Sequence, residues 1–431
     1  MRTDSAPARI LSAICLVLLA MTCICWASSR SKHRVQAVNT ILLHMVREFS
    51  PELIDISKQG TLLVFPWGPT HVEGQKLVWD PRLLLWDYPR PKAALEFPLD
   101  AWMNWEKRAP VKLQGDWQFR FQGDGSRIVG DQTPWLVLID VKKQAEIGRV
   151  VPSESYLRED SPGRPSSQVG ISICHLSINP QNGFVAVVYN VGMDTHLYVY
   201  DSDLKGQIAS RALPRMVKDL CWSPDGKKLA VLFHGRFDEN RKQVSVYYWT
   251  SSQEPDVWVM DPHSGELLVK FRTGTCQDQI AFSKDGSLIY VTNDFYYDSP
   301  PAHKGAIRVF SADSGALVQT ISAGPKGVHS SFSLSPDGSL IAADASTCVP
   351  RGLHMEIAAG EKIARVVLLD AKTGDLLFEH HERTEEDISD PLGLAFSPDG
   401  RFLFVDFPRS DKYPYQRIEV YSIDDINGPK H

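Results

Sequence analysis

Read for apolar and polar positions, the chain is a succession of short apolar runs split by polar turns. The clearest example begins at Cys221 as CWSPDGKKLAVLF. The pattern returns at Phe282 as FSKDGSLIYVTN, at Leu334 as LSPDGSLIAAD and at Phe396 as FSPDGRFLFVD. Each copy predicts a strand, a Ser-x-Asp-Gly turn and a second strand. Where proline is present it presets φ, aspartate bonds nearby backbone N–H groups, and glycine supplies positive φ. A second apolar pair follows three of these copies: VWVMDPHSGELLVKF from Val257, IRVFSADSGALVQTI from Ile307 and VVLLDAKTGDLLFEH from Val366. These predict another hairpin, turning at Ser-Gly or Thr-Gly. The unit is therefore four antiparallel strands, a to d.

Three looser copies lie upstream. They start at Ile171 (ISICHLSINPQNGFVAVVY, then HLYVYDSDLKGQIAS), Trp117 (WQFRFQGDGSRIVGD, then WLVLIDVKKQAEIGRVV) and Leu53 (LIDISKQGTLLVF, then RLLLWDYPRPKAALEF). Seven units are expected, with six or eight as alternatives. The last stops after its third strand, IEVYSID, at residues 418–424. The segment TILLHMV, residues 40–46, is the candidate for the missing strand, which would close the repeats into a ring without free edges. The predicted class is all-β: a single seven-bladed β-propeller over residues 38–427, behind a linker at 28–37.

The fifth unit resembles the YVTN-type propeller repeat, spelling Tyr290-Val291-Thr292-Asn293 before AIRVFSADSGALVQTISAG. The SPDG turns resemble the broader WD-repeat-like and TolB-like propellers. The resemblance is good over roughly residues 170–425 and implies a propeller fold. It does not select a function, because such propellers serve as scaffolds, lactonases, dehydrogenases and protease caps.

The strong repeats recur at longer intervals than a bare four-stranded blade needs, and the surplus lies between strands b and c. In units four to seven it reads HGRFDENRKQVSVYYWTSSQEPD, NDFYYDSPPAHKGA, ASTCVPRGLHMEIAAGEKIA and FPRSDKYPYQ. Insertions on one face of a repeat array mark a binding face. The candidate binding residues there are Phe237, Tyr248, Trp249, Phe295, Tyr296, Tyr297, His303, Arg351, Tyr413 and Tyr415. Tyrosine and tryptophan offer large rigid contact area with a polar tip, mixed here with cationic groups. Mutual packing of these rings is the alternative.

Alignment on the Ser-x-Asp-Gly turn puts the first residues of strand a at the mouth of the central channel. They include His175, Asp219, Asp278, His329 and Asp390. Such a collar could supply a base or a cation ligand, or be merely solvated. Asp55 and Arg120 align at similar depth and are expected to pair, since a half-buried charge needs a partner. The pair His380-His381, beside an acidic run, falls on strand d and is expected at a solvated outer edge.

The N-terminus differs. Arg2 and Arg9 precede an uncharged apolar run at residues 10–27. This predicts a signal peptide or membrane anchor over residues 1–27. Export follows, to the periplasm or cell surface. Cys174, Cys221, Cys276 and Cys348 make no metal motif; buried thiols or one disulfide would account for them.

The 431 residues carry a net charge of -6. No basic excess is available to neutralise phosphates, so nucleic acid is not an expected partner. No G-x-S-x-G, H-E-x-x-H, P-loop, G-x-G-x-x-G or C-x-x-C-H sequence occurs. No cofactor or metal is therefore expected. The leading expectation is an exported or anchored scaffold holding a protein, peptide or glycan, with the membrane as a further partner if the N-terminal segment is retained. A lactonase-like or metal-assisted hydrolase at the channel mouth is the alternative.

Overall fold

The computed structural model describes residues 37, 39–42, 54–59, 61–64, 69–73, 76–79, 82–87, 95–98, 118–132, 135–151, 171–191, 194–233, 255–273, 277–293, 306–322, 331–346, 363–383, 393–407 and 417–427. Their strands form seven four-stranded antiparallel sheets and one two-stranded hairpin, the arrangement of an all-β propeller. Side chains are described through most of the second to seventh sheets. The first, made of Ile54–Ile56, Thr61–Val64, Arg82–Asp87 and Leu95–Pro98, is described largely as backbone.

Strand b is where the sequence dictates the architecture most firmly. Leu229–Phe233 and Leu340–Asp344 are buried at every position, so both faces of their sheets are covered. Adjacent sheets supply the cover. Leu220, Trp222 and Val231 of the fourth sheet pack with Val188, Leu197 and Val199 of the third. On the other side, Ala230, Leu232 and Val259 of the fourth pack with Ile280, Ile289 and Phe310 of the fifth. The sixth and seventh sheets join in the same way through Val366, Leu368, Phe404's neighbours Leu403 and Val405, and Tyr421.

The seventh sheet uses both ends of the described chain. Asn39–Leu42 pairs antiparallel with Arg417–Ser422, with Asn39 opposite Val420 and Leu42 opposite Arg417. The inner strand of the first sheet meets those of both the second and seventh, so the neighbour relation passes across this seam. A short helix, Ile423–Asn427, follows the last strand.

The a–b turns repeat one set of bonds. In the fifth sheet Ser283 Oγ donates to Asp285 Oδ1 at 2.6 Å and accepts from the Leu288 N–H at 2.9 Å, while Asp285 also accepts from the Ser287 N–H. The sets at Ser223/Asp225, Ser335/Asp337 and Ser397/Asp399 match it. From the first sheet to the seventh, each turn then lies against the next. Gly226, at φ +71, leaves room for Asn179, whose Oδ1 would be 2.5 Å from an added Cβ. Asn179 in return donates Nδ2–H to the Gly226 carbonyl.

The repeats also contain more than the sequence suggested. Between strands b and c of the first sheet lies a hairpin of Pro69–Glu73 with Lys76–Trp79. Residues 1–36, with the apolar run, lie outside the described residues. Among the described residues no helix is long and apolar enough to cross a membrane.

The turn bonds fix a pH dependence. The Ser283 hydroxyl, then the Ser287 backbone and hydroxyl groups, hold the Asp285 carboxyl down to about 2 from its ordinary 3.8. A carboxylate lowered in the folded state stabilises above its ordinary value and loses that contribution as pH falls toward the lowered one. Asp285→Asn should therefore flatten the acid limb of the stability profile between about pH 4 and pH 2. Urea unfolding as a function of pH measures it, and a limb as steep as in the unsubstituted chain would contradict the assignment.

Candidate functional site: the inner-strand collar and the seam

The polar residues at the start of strand a form a relay from sheet to sheet. Gln118, ahead of Phe119–Gln122, accepts on Oε1 from the Leu176 N–H at 2.8 Å and donates Nε2–H to the Cys174 carbonyl at 3.0 Å. Asp219 in Val217–Trp222 accepts on Oδ2 from the Ile280 N–H at 2.9 Å. Gln279 in Gln277–Phe282 accepts on Oε1 from the Phe332 N–H at 2.7 Å. Gln118, Asp219 and Gln279 each stand four residues before the turn residues Gln122, Ser223 and Ser283, and each meets the same position of the next sheet. The third, fourth and fifth sheets each break register at this end of strand a, between Ile173/His175, Val217/Asp219 and Gln277/Ile280. An extra residue there turns the following side chain toward the neighbouring sheet.

Asp55 repeats the device two residues deeper. Its Oδ2 accepts from the Phe121 N–H at 2.6 Å. Burial pushes its carboxyl above the ordinary range, against the pull of the Arg120 charge and of the Phe121 and Ile56 N–H groups. The expected Asp55–Arg120 partnership is thus a through-space one. The direct bond is to backbone, and Arg120 Nη1 donates to the carbonyl of Phe119.

Of the five collar residues expected from sequence, His175 and Asp219 are half-buried on inner strands. Asp278 lies in Gln277–Phe282, where only its backbone is described. His329 and Asp390 lie outside the described residues, as do the ten candidates on the b–c connections. The anchors of those connections are described: strand b ends at Phe233, Asn293, Asp344 and Phe407, and strand c begins at Val257, Ala306, Ile363 and Arg417. The YVTN motif has a structural use, since Thr292 is fully buried and its Oγ1 accepts from the Gln279 N–H at 3.1 Å. Neither Cys174 nor Cys221 is in a disulfide, and burial pushes the Cys221 thiol well up.

A second polar cluster, not expected from sequence, lies between the sixth and seventh sheets. Arg417, Glu419 and Tyr421 alternate with the buried Ile418 and Val420 along strand c, so all three share one face. The Arg417 side chain is fully buried. Its Nε donates to Glu419 Oε1 at 2.8 Å, its Nη2 to Glu382 Oε2 at 2.5 Å, and its guanidinium stands 5.0 Å from the Phe407 ring centroid. Tyr421 donates its hydroxyl to Glu419 Oε2. Burial pushes the Glu382 carboxyl up, but the groups around it, the Arg417 guanidinium among them, outweigh that and bring it down to about 2. The expectation for His380-His381 therefore divides. His381 is exposed at the outer edge, whereas His380 turns inward against Phe407 and Tyr421, because neighbouring strand residues face opposite ways. The signal was present as the alternation R-I-E-V-Y, which puts a charge pair on one face of an otherwise apolar strand.

No protein-family model matches the chain. Among curated proteins it is similar to COMPASS component SWD3 of Saccharomyces cerevisiae, 23% identical over 177 residues, which are 36% of this chain and 53% of that protein. The chain thus spans about half the length of that relative. Among solved structures it is similar to a chain in the crystal structure of the Mitotic Checkpoint Complex, with a TM-score of 0.52, 14% identity and coverage of 92% of this chain and 94% of that one. It is also similar to the Cps50 (Swd1) β-propeller domain of Myceliophteria thermophila, with a TM-score of 0.53, 12% identity and coverage of 90% and 100%. At such identities the likeness is one of fold, and the fold is that of the WD-repeat-like β-propellers.

The relay assigns Asp219 a structural task that can be tested. Asp219→Ala leaves the buried Ile280 N–H without its acceptor and should cost about 1–3 kcal/mol of stability. Asp219→Asn keeps an acceptor oxygen and should recover most of the loss. Equal stability of both variants and the unsubstituted chain in denaturant titrations would refute the assignment.

Proposed function

We propose that the chain is an interaction scaffold: one closed ring of seven blades over residues 38–427 that holds a protein partner on the face of the b–c connections. The observation that carries this reading is the relay. Gln118, Asp219 and Gln279 use their polar atoms to bind one sheet to the next, so these collar groups serve rigidity. The propeller likeness supports it too, because SWD3 is by name a component of a complex and the Mitotic Checkpoint Complex is an assembly. Connections anchored on four consecutive sheets, with the first-sheet hairpin beside them, give that face reach at no cost to the ring. A peptide or glycan would use the same aromatic and cationic residues. The N-terminal apolar segment, residues 1–27, directs the ring across a membrane or tethers it there, which places the scaffold at the periplasmic or cell-surface side.

The test uses the full chain, expressed in its own host and cross-linked in place. Alanine at Tyr296, Tyr297 and Trp249 together should remove a specific cross-linked protein while leaving the thermal unfolding midpoint nearly unchanged. Retention of the same partner by the triple variant would contradict this face as the binding surface. Protease protection of the ring in sealed cells reports its side of the membrane, and cleavage only after lysis would contradict exposure at the cell surface.

A further inference from the structure

Three donor atoms converge at the seam between the sixth and seventh sheets. His380 Nε2 stands 3.7 Å from Glu382 Oε1 and 3.8 Å from Glu419 Oε2. All three ligand atoms lie within 4.8 Å of one another. They come from two elements, the outer strand Leu376–Arg383 and strand c Arg417–Ser422, so no local spacing motif announces them.

The His380 Nε2 atom is buried and has no hydrogen-bond partner. A bare imidazole lone pair facing two carboxylate oxygens is repulsive, so something positive belongs at that point. A proton would draw a carboxylate oxygen in to about 2.7–2.9 Å. A cation held at about 2.0–2.2 Å from each donor instead sets the donors roughly 3–4 Å apart. The observed separations of 3.7 and 3.8 Å fit the second case. The charges agree. Two carboxylates face one guanidinium, leaving a negative excess beside the imidazole.

Arg417 and Tyr421 do not block this arrangement. Arg417 engages Glu382 through Oε2 and Glu419 through Oε1, the oxygens turned away from His380. The Tyr421 hydroxyl shares Glu419 Oε2, whose second lone pair remains for a ligand bond. Such outer partners fix carboxylate orientation around a metal. The His380 side chain is 26% exposed and that of Glu382 16%, so solvent reaches the cluster and a water could complete the coordination.

We propose that His380, Glu382 and Glu419 bind a divalent transition-metal cation, zinc foremost, which clamps the outer strand of the sixth sheet to the seventh. One imidazole and two carboxylates suit that class of ion. The clamp lies one strand away from Asn39–Leu42, the segment that completes the seventh sheet.

The experiment uses the purified full chain in detergent, stripped with a chelator and titrated with zinc chloride by calorimetry. Cobalt(II) absorbance serves as a second readout. One zinc per chain is expected, with a higher thermal midpoint and visible cobalt bands. His380→Ala keeps the Arg417–carboxylate pairs, so it should fold, yet lose about tenfold or more in zinc affinity together with the cobalt bands. His381→Ala should keep both. Absence of stoichiometric zinc binding, or equal binding by His380→Ala, would overturn the proposal. So would a stripped protein whose midpoint ignores zinc but depends on pH through His380, since a proton would then fill the place of the metal.

Discussion

The fold depends on one constraint: the second to seventh sheets, whose side chains are described, are apolar on both faces. A sheet of that kind is stable only when another sheet covers each side. Strand b shows the demand most directly, with Leu229–Phe233 and Leu340–Asp344 buried throughout. The cores are accordingly shared between neighbours, third with fourth, fourth with fifth, fifth with sixth and sixth with seventh. A linear stack would leave two faces bare, whereas a ring leaves none. Pairing of Asn39–Leu42 with Arg417–Ser422 completes the seventh sheet, and it makes the ring's integrity depend on residues far apart in the chain.

Polar groups inside such a stack must be bonded, and the chain turns that requirement into fastening. Two sets of side chain-to-backbone bonds run between sheets. One joins the starts of strand a through Gln118, Asp219 and Gln279. The other joins the a–b turns through Gln122 and Asn179, which donate to the Gly183 and Gly226 carbonyls of the following sheets. Hydrogen bonds are directional where apolar contact is not, so these bonds fix how far the sheets they join can slide against one another. The ionic cluster of Arg417, Glu382 and Glu419 does the same between the sixth and seventh sheets, with charges in place of amides.

Much of this was legible in the sequence because turn chemistry is local. Ser, Asp and Gly within four residues specify a turn, and the apolar runs on either side specify its strands. The closing role of the segment from Thr40 was legible by another route, since the last unit lacked a strand. Interactions between sheets were not legible. Gln118 and Leu176 are 58 residues apart, and nothing near either one names the other. Asp219 looked like a solvated or reactive carboxylate for the same reason. In sequence His380 and His381 look like one outer-edge pair, although strand alternation sends the two in opposite directions. The hairpin Pro69–Glu73 with Lys76–Trp79 is not legible because Gly74-Gln75 is a weak turn signal between short strands. The aromatic candidates of the b–c connections lie outside the described residues, so their grouping rests on where strands b and c end.

Native-state hydrogen exchange of the intact chain tests the closed ring most directly. Amides of strands that open only with the whole molecule exchange at the global unfolding free energy. The account predicts that ladder amides of Asn39–Leu42 and Arg417–Ser422 are protected as strongly as those of the central strands Leu229–Phe233 and Leu340–Asp344. Rapid exchange in Asn39–Leu42, with the central strands still protected, would show that the seventh sheet is not closed by the N-terminal strand and would contradict the account.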